Sequence, residues 1–269
     1  MSSIITSTRS ERMPVIFIGH GTPMNAVEDN QWSRGFATIA ADIPQPKAIL
    51  AVSAHWYVGG TMLTSNPEPR TIHDFYGFPQ SLYDINYPAP GNVDLAKRVR
   101  TLLGDERSSL SDDWGLDHGT WSVLKWMFPD AKIPVIQLSV NQHLSPRAHY
   151  ELGRSLEELR HEGVLIFASG NIVHNLRDAF TQLRSGRSFT PDWARQFDED
   201  VAEAIRQHDG DAMVNLWPNT ENGRMSHPTP DHWLPLLYAV GASNVNDEVS
   251  FPLEGFDLGS LSMRAVKFS

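Results

Sequence analysis

The sequence predicts an α/β fold: a single domain with a central, mostly parallel sheet flanked by helices. Three observations predict it. Runs such as Val15-Ile16-Phe17-Ile18 and Ile49-Leu50-Ala51-Val52 are apolar at every position, as expected of strands buried on both faces. These runs alternate with longer stretches of helical period, and parallel strands joined by helices imply right-handed crossovers. With 269 residues, 41% of them hydrophobic, the chain can bury one large core.

Taken in order, residues 14–19 read as a buried strand. Residues 32–41 read as the helix returning over it, with Trp32, Phe36, Ile39 and Ala40 on one face. A second buried strand is expected over 48–54. Residues 66–92 are crowded with Pro, Gly and Tyr, and a loop this long in a compact domain reads as a lid or pocket wall. Helices follow at 94–103 and 119–128, then a strand at 133–140 and a helix at 146–161 ended by Gly163. A strand at 164–168 and a helix at 191–208 come next. The last expected helix is short, 231–240, with Pro230 and Asp231 at its start. Residues 1–12 are polar and read as a disordered tail, so that 13–269 form the single domain.

Composition excludes several classes of function. A net charge of −10, with 22 basic residues that form no run, argues against nucleic acid and anionic membrane surfaces. A small molecule is the expected partner, with the chain a monomer or small homo-oligomer. There is no cysteine, so a metal here must rest on imidazole, carboxylate or water. Residues 1–12 lack a signal peptide's apolar core, and no apolar run reaches the length of a membrane span. A cytoplasmic location is the expectation.

The chain has 11 histidines, and their positions separate them. His20 lies between Gly19 and Gly21, His55 follows an apolar strand and precedes Trp56-Tyr57, and His174 follows Ala168-Ser169-Gly170-Asn171. In an open α/β sheet all three belong to the carboxyl edge, where such folds place their ligands, and imidazoles gathered there point to a metal. His232, in the Pro-rich stretch Ser226-His227-Pro228-Thr229-Pro230-Asp231-His232, is expected in the first turn of the next helix and is the fourth metal candidate. His174 reads equally as a ligand or as an acid/base beside the metal. His118, in Asp117-His118-Gly119, precedes a helix and is a candidate catalytic residue. His73 in the aromatic loop is a pocket-lining candidate, Arg177 could begin an anion-binding strip, and His227 is expected at the rim or surface. His143, His149, His161 and His208 are expected in solvent.

The segments Gly19-His20-Gly21-Thr22-Pro23-Met24-Asn25, Ser53-Ala54-His55-Trp56, His73-Asp74-Phe75-Tyr76-Gly77-Phe78-Pro79 and Tyr87-Pro88-Ala89-Pro90-Gly91 occur in that order. They are followed by Asp117-His118-Gly119, the run from Ala168 to Arg177, Pro228-Thr229-Pro230-Asp231-His232 and Gly259-Ser260-Leu261-Ser262-Met263. From Pro14 to the C-terminus the chain resembles the class III, LigB-type extradiol ring-cleavage dioxygenases, and within them the bacterial 4,5-DOPA extradiol dioxygenase group.

The resemblance implies one divalent metal at the carboxyl edge of the strands, Fe(II) in the active enzyme, and cleavage of a small catechol beside its hydroxyls with both atoms of O2. It implies His20, His55 and His232 as metal ligands, His174 as a further ligand or base, and His118 as a second acid/base. Aromatic residues of the 66–92 loop, Phe75 and Tyr76 with His73, would wall a flat apolar pocket. Independently of the resemblance, a catechol must lose protons to chelate a metal, which suits imidazole, and O2 needs an open coordination position.

Two departures from relatives bear on chemistry. Many class III enzymes use two histidines and a glutamate where this chain has His232 preceded by Asp231, and an all-imidazole set also suits Zn(II), which can occupy it in purified protein. Residues 175–180 also differ from the His-Pro-Ser/Ala-rich segment of plant pigment-forming enzymes, which leaves the catechol open. Two alternatives stand beside ring cleavage: a zinc-dependent hydrolase using a metal-activated water, and a binding protein that only retains the fold.

Overall fold

The computed structural model describes residues 12–186 and 189–269. Apart from Arg12, the expected tail lies outside the described residues. The strands are β1 Val15–Gly19, β2 Ala48–Val58, β3 Met62–Thr64, β4 Ser109–Ser111, β5 Val135–Asn141, β6 Val164–Gly170, β7 Val249–Leu253, β8 Phe256–Asp257, β9 Leu261–Ser262 and β10 Ala265–Phe268. The helices are α1 Gln31–Ala41, α2 Gln80–Tyr83, α3 Val93–Leu103, α4 His118–Met127, α5 Pro146–Arg154, α6 Leu176–Ser185, α7 Asp192–Arg206, α8 Gly210–Asn219, α9 Glu221–Ser226 and α10 Leu234–Ala242.

Among the described residues, eight strands form one sheet in the order β4-β3-β5-β2-β6-β1-β10-β7. Its centre, β5-β2-β6-β1, is parallel, while β3 pairs antiparallel with β5, and β10 with both β1 and β7. The sheet divides the core into two layers, and strand alternation decides which residue enters which. Val15 and Phe17 of β1, with Leu50 and Val52 of β2, meet α3, α7 and α10 on one face. Ile16 and Ile18, with Ile49 and Ala51, meet α1 and α4 on the other. Each large apolar side chain fully buried this way contributes roughly 1.5–3 kcal/mol, so both faces of the central strands stabilise the fold.

Local sequence explains where elements begin. Asn30 caps α1: its side chain accepts from the Ser33 amide at 3.0 Å, and the Ser33 hydroxyl accepts from the Asn30 amide at 3.0 Å. Far from the capped surface helices, Arg160 is buried and bonds both carboxylate oxygens of Asp247, at 2.7 and 3.0 Å, and the Met13 carbonyl at 2.7 Å. Arg12 bonds the same carboxylate. This pair joins the start of β1 to the chain preceding β7.

Four sequence expectations need correction. β2 does not stop at residue 54 but continues to Val58, because pairing with β5 resumes after a bulge: Val52 pairs with Leu138 and Tyr57 with Val140. The helix expected over 146–161 is broken. It ends at Arg154, and a separate 3-10 turn follows at Glu157–Glu162, closed by Gly163 in the left-handed region at φ 86°. The helix expected from 231 begins at Leu234, so His232 sits in the turn before it. His149 is not in solvent: with Gly153 four residues on, it forms the inward face of α5, and its Nδ1 lies 3.0 Å from the Tyr238 hydroxyl.

Candidate active site

The carboxyl ends of β2, β6 and β1 lie side by side, and five histidines converge there. His20 follows β1 directly. His55 lies in the β2 bulge, where the extra residues turn it out of the ladder. His118 is the first residue of α4, His174 follows β6, and His232 comes from the turn before α10. Two glycines permit this convergence. A Cβ on Gly170 would sit 2.3 Å from the His232 carbonyl oxygen, and one on Gly119 would sit 2.9 Å from the His55 ring.

The His20 and His55 Nε2 atoms are 3.1 Å apart. Ring centroids of His55 and His118 are 3.8 Å apart, of His20 and His232 5.2 Å, and of His55 and His232 5.1 Å. His174 stacks on His232 at 3.5 Å, 4° from coplanar. Suitable donor atoms fall into two groups, His20 with His55 and His118, and His174 with Asp231 and His232, each within 4.8 Å.

What holds the opposite ring nitrogens decides what the cluster offers. The Ser169 hydroxyl donates to the Gly119 carbonyl at 2.5 Å, so its oxygen accepts from His20 Nδ1 at 2.9 Å. The Asp74 carboxylate accepts from His118 Nδ1 at 2.9 Å and lies 3.3 Å from His55 Nδ1. Asp231 accepts from His232 Nδ1. In His20, His118 and His232, an Nδ1 that donates to its acceptor leaves Nε2 as the lone pair, the arrangement by which partner groups orient metal-binding imidazoles.

Electrostatics keeps His20, His55, His174 and His232 neutral. Burial, then repulsion from neighbouring histidines, holds His20, His55 and His232 well below the usual imidazole range. Burial lowers His174 to about 4, against the opposing pull of Asp231. Burial pushes Asp74 up, but its hydrogen bond to His118 and the nearby imidazoles outweigh this and bring it to about 2. Burial, then the charge on Asp74, raises Asp117 to about 6, although Gln137 and Ser53 hydrogen-bond it at 2.8 and 2.7 Å. The Nε2 atoms of His20 and His55, 3.1 Å apart, can both reach one ion at the roughly 2.0–2.1 Å of a metal–imidazole bond. The donor set therefore fits a divalent metal.

The remaining candidates spread around this centre. Phe75 is buried and meets His118 edge to face, ring centroids 5.5 Å apart. The His73 Nε2 bonds the Ile85 carbonyl at 3.0 Å, and its ring packs on Trp121 at 5.5 Å. Tyr76 is 93% exposed, and Arg177 is exposed in the first turn of α6. His227, expected at the rim, is instead buried: its Nε2 bonds the Ile172 carbonyl at 2.7 Å, and its ring packs between Phe197 and Trp233. The residue types around it in sequence, Pro and Ser, disguise that packing. Sequence reasoning passed over Asp74 and Ser169 as partners of the histidines. For Asp74 the signal was present, a carboxylate beside His73 in an aromatic loop; for Ser169 there was none.

The chain matches, over residues 14–258, the family described as the catalytic LigB subunit of aromatic ring-opening dioxygenase, and it belongs to that family. Members act on a small aromatic substrate and O2. It is similar to the 4,5-DOPA dioxygenase extradiol of Escherichia coli K12, 46% identical with 96% of this chain and 95% of that protein covered. It is also similar to the 4,5-DOPA dioxygenase extradiol of Beta vulgaris, 37% identical over 94% of this chain and 95% of that one. A crystal structure of an uncharacterized Escherichia coli K12 protein superposes with a TM-score of 0.83 at 41% identity, covering 96% of this chain and all of the other. Among the described residues no helix is long and apolar enough to cross a membrane.

Proposed function

We propose that this protein opens the ring of a small catechol beside its two hydroxyls, at a single metal held by His20, His55 and His232, with His174 within reach of the same ion. The observation that carries the reading is the convergence of these histidines, with the Nε2 atoms of His20 and His55 3.1 Å apart and the Nδ1 atoms of His20, His118 and His232 each held by an acceptor. Fe(II) bound there would bring the catechol oxygens and O2 together and pass electrons between them, whereas Zn(II) would fill the same ligands without that redox chemistry.

The chain's own residues then handle protons and position. His118, with its Nδ1 hydrogen committed to Asp74, has Nε2 free to take a proton from a catechol hydroxyl and to return it later. His174, held neutral at neutral pH by burial, serves as the main base and lies against the His232 ligand. Phe75 presents an apolar wall beside His118, His73 braces the loop that carries it, and the exposed Tyr76 and Arg177 would meet the substituent on the ring. No observation favours the hydrolase reading, and the family is one of ring opening.

The test is turnover of a panel of substituted catechols by anaerobically iron-loaded protein supplied with isotopically labelled O2. Both labelled atoms in a ring-opened product support the reading. Incorporation of one atom, or none with any catechol, would contradict it.

A further inference from the structure

One carboxylate touches both halves of the proposed machinery. Asp74 lies in the loop between β3 and α2, far in sequence from its partners, and is largely buried. Its Oδ1 accepts from the His118 backbone amide at 2.9 Å, a donor that the first turn of α4 otherwise leaves without an intrahelical partner. Its Oδ2 accepts from His118 Nδ1 at 2.9 Å and faces His55 Nδ1 at 3.3 Å. The adjacent Phe75 meets His118 edge to face and packs on Phe78 and Tyr83, at 5.3 and 5.2 Å between ring centroids. His20 and His232, in contrast, have partners of their own in Ser169 and Asp231.

We propose that Asp74 is a shared positioning residue: its carboxylate fixes the tautomer and ring orientation of His118 and of His55 together, and fastens the Phe75-bearing loop to the site. The physical reason is that a neutral imidazole has two tautomers, and the acceptor on one nitrogen selects which nitrogen keeps the lone pair. A carboxylate has acceptor sites enough for both imidazoles and the amide. An amide side chain has one acceptor oxygen and cannot supply the same set.

The roles given to His55 and His118 rest on the proposed function, so the readouts are chosen to be independent of ring cleavage. In metal-free protein, imidazole nitrogen chemical shifts report the His118 tautomer. Competition with a chelator reports zinc affinity, which senses His55. The Nδ1–H form of His118 is expected in the wild type. In Asp74→Ala, tautomers should mix and zinc affinity should fall about 10–100-fold, the usual cost of losing the partner of a ligand histidine. Asp74→Asn, nearly isosteric, should satisfy one imidazole and release the other. In the iron-loaded enzyme, kcat should fall more than KM rises.

If either the His118 tautomer or the zinc affinity keeps its wild-type value in Asp74→Ala, the carboxylate does not hold that imidazole and the shared role is overturned. Should that variant fail to fold, Asp74→Asn decides, because both readouts unchanged in it would refute the proposal. Inactivity of the wild type toward every catechol would count against the proposed function while leaving these two readouts decisive for Asp74.

Discussion

His174 and His232 lie face to face, 3.5 Å between ring centroids and 4° from coplanar, although 58 residues separate them in the chain (232 − 174). Backbone bonds from Asn171 to the His232 carbonyl at 3.1 Å and from His174 to the Ser226 carbonyl at 3.0 Å hold the two segments in register. Stacking puts His174 beside a proposed ligand without using its own ring nitrogens to support that ligand. His174→Gln should therefore lower kcat by on the order of 10²–10⁴ while most of the metal stays bound. Metal content measured alongside kcat checks this; an emptied site at unchanged fold would make His174 a ligand and pass the base role to His118.

Removing an imidazole from the inner group should have a different signature. His20→Ala and His55→Ala each delete a lone pair from the 3.1 Å pair and are expected to abolish stoichiometric metal binding. Elemental analysis after dialysis reads this directly. Full retention of metal in both variants would remove these two residues from the ligand set.

Stability should fall on the acid side of neutrality, and a histidine outside the site contributes to that fall. His149 is lowered by burial from 6.5 to about 4, so its contribution is fully present above pH 6.5 and is lost as pH falls from there towards 4, where the unfolded chain binds a proton that the folded one refuses. At about 1.4 kcal/mol per pH unit, the loss reaches roughly 3 kcal/mol across that window. His149→Gln should make this limb shallower in urea titrations at several pH values, with the other buried histidines supplying the remaining slope. An unchanged slope would show that His149 takes its proton within the folded protein.

The Arg160–Asp247 pair is wholly enclosed, with both side chains without exposed surface. Arg160→Met should destabilise the fold by about 3–5 kcal/mol, since it strands a buried carboxylate, and this should appear as a lower urea midpoint. A change below about 1 kcal/mol would mean that Arg12, which bonds the same carboxylate, suffices as its partner.

Much of the fold was legible because the central strands are apolar on both faces. Val15–Gly19 and Val164–Gly170 lie within a residue or two of where periodicity puts them. The edges were not legible: β3, β4 and β8 to β10 span two to four residues each, too short for a period, and β7 contains Pro252, which weakens the signal for a strand. α6 was passed over because polar residues dominate it, and α8 and α9 because Gly210, Pro218 and Gly223 interrupt their pattern. At the site, the histidines announced themselves through Gly, Pro and strand-end context. Ser169 and Asp74 did not, because a hydrogen bond across many residues leaves no local pattern.

The measurement closest to the central claim is O2 uptake by one preparation divided into iron-loaded and zinc-loaded halves, each verified by elemental analysis and supplied with the same catechol. Ring cleavage at the histidine cluster requires a redox-active ion, so the iron form should consume one O2 for each ring opened and the zinc form none. Equal uptake by the two forms would contradict it.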